Sequence, residues 1–156
     1  MQIFIKKDEF KKISSSIYDK LLEISNEMGI DVTEDIENAD IIISIGGDGT
    51  FLKTARLSDG KPIVGVNTGT LGYLTEISPD EIKEALADIK NGNYLIEERM
   101  MVDGEIKRTD GNVIEIPESL NEIAISKNTF GVLRFDAIVN GKLINSYNAD
   151  GIMVYL

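Results

Sequence analysis

The chain has no cysteine and no histidine among its 156 residues. Without cysteine there are no disulfides, no thiolate catalysis and no cysteine-ligated zinc or iron–sulfur centre. That fits the cytoplasm, which is the expected location. Without histidine there are no Ser-His-Asp triads, no imidazole general bases and no imidazole metal ligands. Positive charge is also scarce, with 16 Lys and Arg against 27 Asp and Glu and a formal net charge of −11. A broad nucleic-acid surface needs a basic footprint, so that class of partner is excluded. No apolar run reaches the ~20 residues that cross a bilayer, so no membrane partner is expected. The opening Met1-Gln2-Ile3-Phe4-Ile5-Lys6-Lys7 places its charges after its apolar residues, the reverse of a secretory signal. Any catalysis must run on carboxylates, hydroxyls, lysines, backbone amides or a bound ion.

What is present is a globular composition, 42% hydrophobic and 28% charged. The length suits one domain, or one small domain plus part of another, and is enough to bury a core. The stretch that organises the rest is Ile41-Ile42-Ile43-Ser44-Ile45-Gly46-Gly47-Asp48-Gly49-Thr50. Four isoleucines with one small polar residue among them read as a strand covered on both faces, as in a parallel sheet. Ligands of open α/β folds bind beyond the carboxyl ends of such strands. Gly46, Gly47 and Gly49 leave out the Cβ atoms that would hold a backbone away from phosphate, and they permit positive φ. A helix opening near Thr50 aims its N–H groups at the same place, which suits an anion. Asp48 is then a carboxylate inside a phosphate site, placed to take a proton from a hydroxyl. The plainer reading is a tight strand-to-helix turn with Asp48 as its cap.

Read in order, Gln2–Ile5 is a first strand. Phe10, Ile13, Ile17, Leu21, Ile24 and Met28 recur at steps of three and four, predicting an amphipathic helix closed by Gly29. A short strand at Ile30–Val32, the central strand, a two-turn helix after Asp48 and a strand at Pro62–Asn67 follow. Ser78-Pro79-Asp80-Glu81 carries the marks of a helix start, with Ser78 as cap, Pro79 in first position and Glu81 completing the capping box. Ile82, Ala85, Leu86 and Ile89 form its apolar face, and Asn91-Gly92 stops it. From Tyr94 onward no helical period appears. Short strands alternate with hairpin-type turns at Asp103-Gly104, Asp110-Gly111 and Asn140-Gly141, with Asn148-Ala149-Asp150-Gly151 a further turn. The expected fold class is α/β: a doubly wound, mostly parallel sheet over residues 1–95, then the start of an antiparallel all-β domain over 96–156.

Asn67-Thr68-Gly69-Thr70-Leu71-Gly72-Tyr73-Leu74-Thr75 follows a second buried strand as the first glycine loop follows the central one. The two loops are expected to flank one crevice, where Asn67 offers both a donor and an acceptor. The alternative is a polar loop with Tyr73 and Leu74 packed beneath it. Asn121-Glu122 can clasp paired ribose hydroxyls or an amino group, or be a solvated strand end. Lys53 lies one helical turn after Gly49. Arg99 and Arg134 could neutralise phosphates or make surface pairs.

Together these features resemble the NAD kinases, which phosphorylate the adenosine 2′-hydroxyl of NAD to make NADP, and within them the archaeal type. The likeness runs through Gly46–Thr50, Val66–Leu74, Glu97-Glu98-Arg99-Met100-Met101, Asn121-Glu122 and Asp150-Gly151, over essentially the whole chain. It implies that Asp48 is the base, that Gly46, Gly47 and Gly49 lie beside the nucleotide, and that Asn121 and Glu122 hold its ribose or adenine. Asp150 would contact the nicotinamide side, often across a subunit boundary. Lys53, Val132 and Asn148 match positions that touch NAD, and Tyr73 an aromatic lining the pocket. In that family the strand after Asp150-Gly151 runs on into a Thr-Pro-Thr-Gly-Ser-Thr-Ala-Tyr loop. Here the chain stops at Leu156, so it reads as a fragment or truncated form whose own activity is open.

Phosphoryl transfer asks a protein mainly for positioning, charge neutralisation and a base. With so negative a chain, a divalent ion (Mg or Mn) is expected to accompany an anionic donor, either ATP or polyphosphate. Association into a homodimer or homotetramer is also expected. Two other functions stay open. One is a lipid or sugar kinase sharing the first motif. The other is a nucleotide-binding module without turnover.

Overall fold

The computed structural model describes residues 1–10, 12–69 and 72–155. Thr70 and Leu71 of the second glycine loop, and the Leu156 end of the last strand, lie outside the described residues. The chain divides into two compact units, Met1–Arg99 and the remainder from Met100.

The first unit is a four-stranded, wholly parallel sheet. Its strands are β1 (Gln2–Lys7), β2 (Asp31–Thr33), β3 (Ile41–Gly46) and β4 (Ile63–Asn67), in the order β2-β1-β3-β4. Chain order reverses between β1 and β3, so a topological switch point lies beyond their carboxyl ends, where α/β folds bind ligands. The isoleucines of β3 are at most 3% exposed. Burying each such side chain contributes about 1.5–3 kcal/mol. Alternation along the strand divides them between two faces. Ile41, Ile43 and Ile45 join Ile3 and Val66 in the core beneath α1 (Lys12–Glu27) and α3 (Ile82–Asn91), against Ile17, Leu21, Ile24, Leu86 and Ile89. Ser44 points the other way, toward α2 (Asp48–Ala55). Helices therefore cover both faces, as the apolar run of β3 requires. Beyond β4, Ile77 adds a parallel bridge to Val66 and exchanges backbone bonds with Gly65 and Asn67, covering the sheet edge.

Two helix starts differ from the sequence reading. Phe10 stands before α1 and is 93% exposed, and Ile13 is half-exposed, so the apolar period overran the helix by a turn. Helix α3 begins at Ile82, with Ser78–Glu81 forming a preceding turn closed by the Glu81 N–H on the Ser78 carbonyl (3.0 Å). Half of the capping box forms. The Ser78 N–H donates to Glu81 Oε2 (2.9 Å), but the Ser78 hydroxyl also donates to that oxygen (2.7 Å) instead of accepting from the helix. Gly92 closes α3 at φ 73°, as expected.

The second unit is three antiparallel strand pairs: β5 (Val102–Lys107) with β6 (Val113–Ser119), β7 (Glu122–Ser126) with β10 (Gly151–Tyr155), and β8 (Leu133–Val139) with β9 (Lys142–Ala149). Asn140-Gly141 turns between β8 and β9 with both residues at positive φ (50° and 76°), the type I′ signature. Asp110-Gly111 turns as expected. Asp103-Gly104 does not: it lies inside β5, where the register shifts between Val102 and Gly104, a bulge and no hairpin. Residues 93–101 form no strand. Asn148 and Ala149 belong to β9, leaving Asp150 as the link to β10.

Candidate active site

The site of the first unit starts from two adjacent strand ends. Gly46 at the end of β3 pairs in register with Asn67 at the end of β4, and the Thr68 N–H donates to the Gly46 carbonyl (3.1 Å). Both glycine loops therefore leave the sheet side by side. Gly47 then caps α2 in an extended conformation (φ −106°), and Asp48 is the first helical residue. None of Gly46, Gly47 and Gly49 has a positive φ, so the conformational reason expected for them does not apply. Spatial reasons do. A Cβ on Gly46 would lie 2.5 Å from Thr50 Cβ, so this glycine lets the helix start close against the strand. Gly47 and Gly49 have nothing within 4 Å of where a Cβ would be. Their backbone is bare toward open space, at the end of a helix whose first N–H groups have no preceding turn to bond.

Asp48 joins the two loops. Its Oδ2 accepts from the Tyr73 N–H (3.0 Å) and its Oδ1 from the Leu74 N–H (3.1 Å). Two donors on two oxygens fix the carboxylate plane while leaving each oxygen another lone pair. It is half-buried and so reachable. The position of α2 is in turn set from behind. Thr54, fully buried, donates its hydroxyl to the Thr50 carbonyl (2.8 Å). Its one proton is thereby used, so the bond of 3.0 Å to Ser44 has Ser44 as donor. This buried pair ties α2 to β3 one and a half turns after Asp48. Sequence reasoning passed over it, although a lone serine in an isoleucine strand is a usable signal.

The remaining residues of the first unit are placed as follows. Asn67 Oδ1 accepts from the Gly69 N–H (2.8 Å), and Asn67 lines, with Thr68, Gly69 and Glu76, a surface hollow of about 440 Å³. Tyr73 is 94% exposed, so it is not packed beneath the loop, and only its backbone touches Asp48. Lys53 is exposed in the last turn of α2, ~6 Å along the axis from Gly49.

In the second unit, Asn121 and Glu122 stand at the start of β7, Glu122 paired with Tyr155. Gly151, next to Asp150, pairs with Ser126 at the other end of that ladder. Four residues of antiparallel strand separate the two ends, ~14 Å. Glu122 and Asp150 therefore do not share one contact point within the unit. Asp150 is ion-paired to Lys127. Val132 is exposed ahead of β8, and Asn148 pairs across β9 with Arg134. Arg99 makes a surface pair with Glu97 at 3.0 Å, the plainer of its two readings.

A parallel sheet whose switch-point strand runs through bare glycines into a helix defines an open α/β unit with its two glycine loops at the carboxyl ends of adjacent strands. The sequence comparisons narrow that class. The ATP-NAD kinase N-terminal domain family matches residues 6–94. The chain is 40% identical over 119 residues to the NAD kinase of Chlorobium phaeobacteroides, covering 76% of this chain and 41% of that protein. It is 34% identical over 168 residues to the NAD kinase of Thermoanaerobacter pseudethanolicus, covering 96% of this chain and 59% of that one. With the bifunctional NADP phosphatase/NAD kinase of Methanocaldococcus jannaschii it shares 42% over 123 residues, 77% of this chain and 21% of that protein. The chain belongs to the NAD kinase family, and it spans less than two thirds of the length of these relatives. Among solved structures, yeast NADH kinase complexed with NADH superposes at a TM-score of 0.79 with 16% identity, over 98% of this chain and 56% of that one. At that identity the likeness is one of fold.

Proposed function

We propose that the protein carrying this chain is an NAD kinase, transferring a phosphoryl group from ATP or polyphosphate to the adenosine 2′-hydroxyl of NAD. The observation that supports this most is the carboxylate of Asp48, held by the Tyr73 and Leu74 N–H groups at the head of α2. In this reading Asp48 accepts the hydroxyl proton as that oxygen bonds to the donor's terminal phosphorus. The bond from that phosphorus to the leaving oxygen breaks. Donor phosphates approach the bare backbone of Gly47 and Gly49, with Lys53 one turn away as a cation. Asn67 and Tyr73 bind on the second loop. Asn121, Glu122, Val132, Asn148 and Asp150 contribute to holding the dinucleotide, and the protein works as a homodimer or homotetramer in the cytoplasm. Among the described residues no group of three Asp or Glu side chains is placed to hold a metal ion. A divalent ion, Mg or Mn, accompanies the anionic donor in this reading. No helix among the described residues is long and apolar enough to cross a membrane.

The test is a parallel assay of the full-length gene product with NAD, diacylglycerol and fructose 6-phosphate as acceptors, each with ATP or polyphosphate and a divalent ion. Turnover of NAD alone is expected. Phosphorylation of either other acceptor in preference would reassign the protein within the kinases that share the first motif. NAD binding without turnover would leave a nucleotide-binding module.

A further inference from the structure

We infer that Gly72 is a positioning residue: its missing side chain is the seat in which the carboxylate of Asp48 rests. This rests on the reading of Asp48 as the base. A Cβ built on Gly72 would fall 2.4 Å from Asp48 Oδ1 and 2.6 Å from Thr75 Oγ1, both impossible contacts. Which neighbour would give way follows from how each is held. Thr75 is 5% exposed and packed tightly on β4, where a Cβ on Gly65 would lie 2.9 Å from both its Cα and its Cγ2. Its hydroxyl is buried and makes no hydrogen bond. Asp48 Oδ1 is the end of a side chain that can rotate, anchored by a single N–H on that oxygen. A methyl at position 72 therefore keeps an overlap with the Thr75 hydroxyl, at a packing cost, and turns the more mobile carboxylate out of its seat. That breaks its bonds to Tyr73 and Leu74 while β3, β4 and α2 stay as they are. The loop thus fixes the base by what it lacks as well as by its two donors, and it admits a side chain of aspartate length.

The test compares wild type, Gly72→Ala, Asp48→Glu and Asp48→Asn in the full-length enzyme, reading kcat, NAD KM and melting temperature. A misplacement of ~1 Å costs about 10²-fold in rate. Gly72→Ala is expected to lose about 10²-fold in kcat with NAD KM nearly unchanged, and to melt lower because of the overlap with Thr75 Oγ1. Asp48→Glu, which keeps the carboxylate but moves it by one methylene, is expected to lose as much. A folded Gly72→Ala enzyme with kcat within about threefold of wild type would overturn the inference. Should Gly72→Ala fail to fold, Asp48→Glu decides: near-wild-type kcat overturns the seat, and a 10²-fold loss supports it. Near-wild-type kcat in Asp48→Asn would remove the base assignment itself, a result distinguishable from failure of the seat alone.

Discussion

Four glycines surround Asp48, and they serve by two different means. Gly46 and Gly72 are held to glycine by neighbours inside the protein, Thr50 for the first and Asp48 with Thr75 for the second. Gly47 and Gly49 are not, since the space over each is open. Substitution should separate them. Gly46→Ala forces a methyl onto Thr50 Cβ at the strand end, and overpacking of this kind costs about 1–3 kcal/mol. Gly49→Ala, inside α2, should instead raise stability by about 0.4–1 kcal/mol by restricting the unfolded chain. If phosphates approach that backbone, the same change should raise the donor KM. Thermal melts and donor titrations of both variants read this crossing of effects. A Gly49→Ala enzyme with unaltered donor KM would place the phosphates elsewhere. Read from sequence, Gly46, Gly47 and Gly49 shared one role and Gly72 had none of its own. Only the distances to Thr50, Asp48 and Thr75 distinguish the ones required by packing from those left open.

Among the elements, β3 was the most legible, because a strand covered on both faces needs no alternation and four isoleucines advertise that. Helix starts were less so. The apolar period of α1 continues back to Phe10, but that side chain is 93% exposed. Ser78 has the chemistry of a cap, yet hydrogen-bonds to Glu81 in a turn that precedes the helix. Asp103-Gly104 reads as a hairpin by local preference, while pairing of β5 with β6 draws it into a bulged strand. Tertiary pairing decides such cases, and it is not written in a four-residue window. The turn before α3 makes its own prediction. Hydrogen bonds from the Ser78 side chain and then its backbone hold the Glu81 carboxyl below its ordinary value of 4.5. A lowered folded-state pKa means the contribution is present above that ordinary value and is lost as pH falls through the folded one. Wild type should therefore melt above Glu81→Gln at pH 7, and the gap should close as the pH falls below the ordinary carboxylate range. A gap independent of pH would show that the charge of Glu81 does not matter there.

At the scale of the whole molecule, the sequence motifs located the two glycine loops at one end of the first unit because they are local: a strand, two glycine loops and one carboxylate between Ile41 and Thr75. How the loops meet was not legible, since Asp48 bonds to backbone N–H groups 25 and 26 residues away, and backbone donors carry no sequence signature. The second unit was less legible still. Asn121-Glu122 and Asp150-Gly151 look like equivalent polar turns in sequence, whereas they stand at opposite ends of one strand ladder. The central claim is that Asp48 is the base of an NAD kinase. It is tested most directly by measuring NADP formation and NAD affinity for wild type and Asp48→Asn in the full-length gene product, with donor and divalent ion in excess. General-base catalysis contributes roughly 10²–10⁴ in rate, so kcat should fall by that factor with NAD affinity within about threefold of wild type. An Asp48→Asn enzyme that forms NADP at the wild-type rate would contradict the claim.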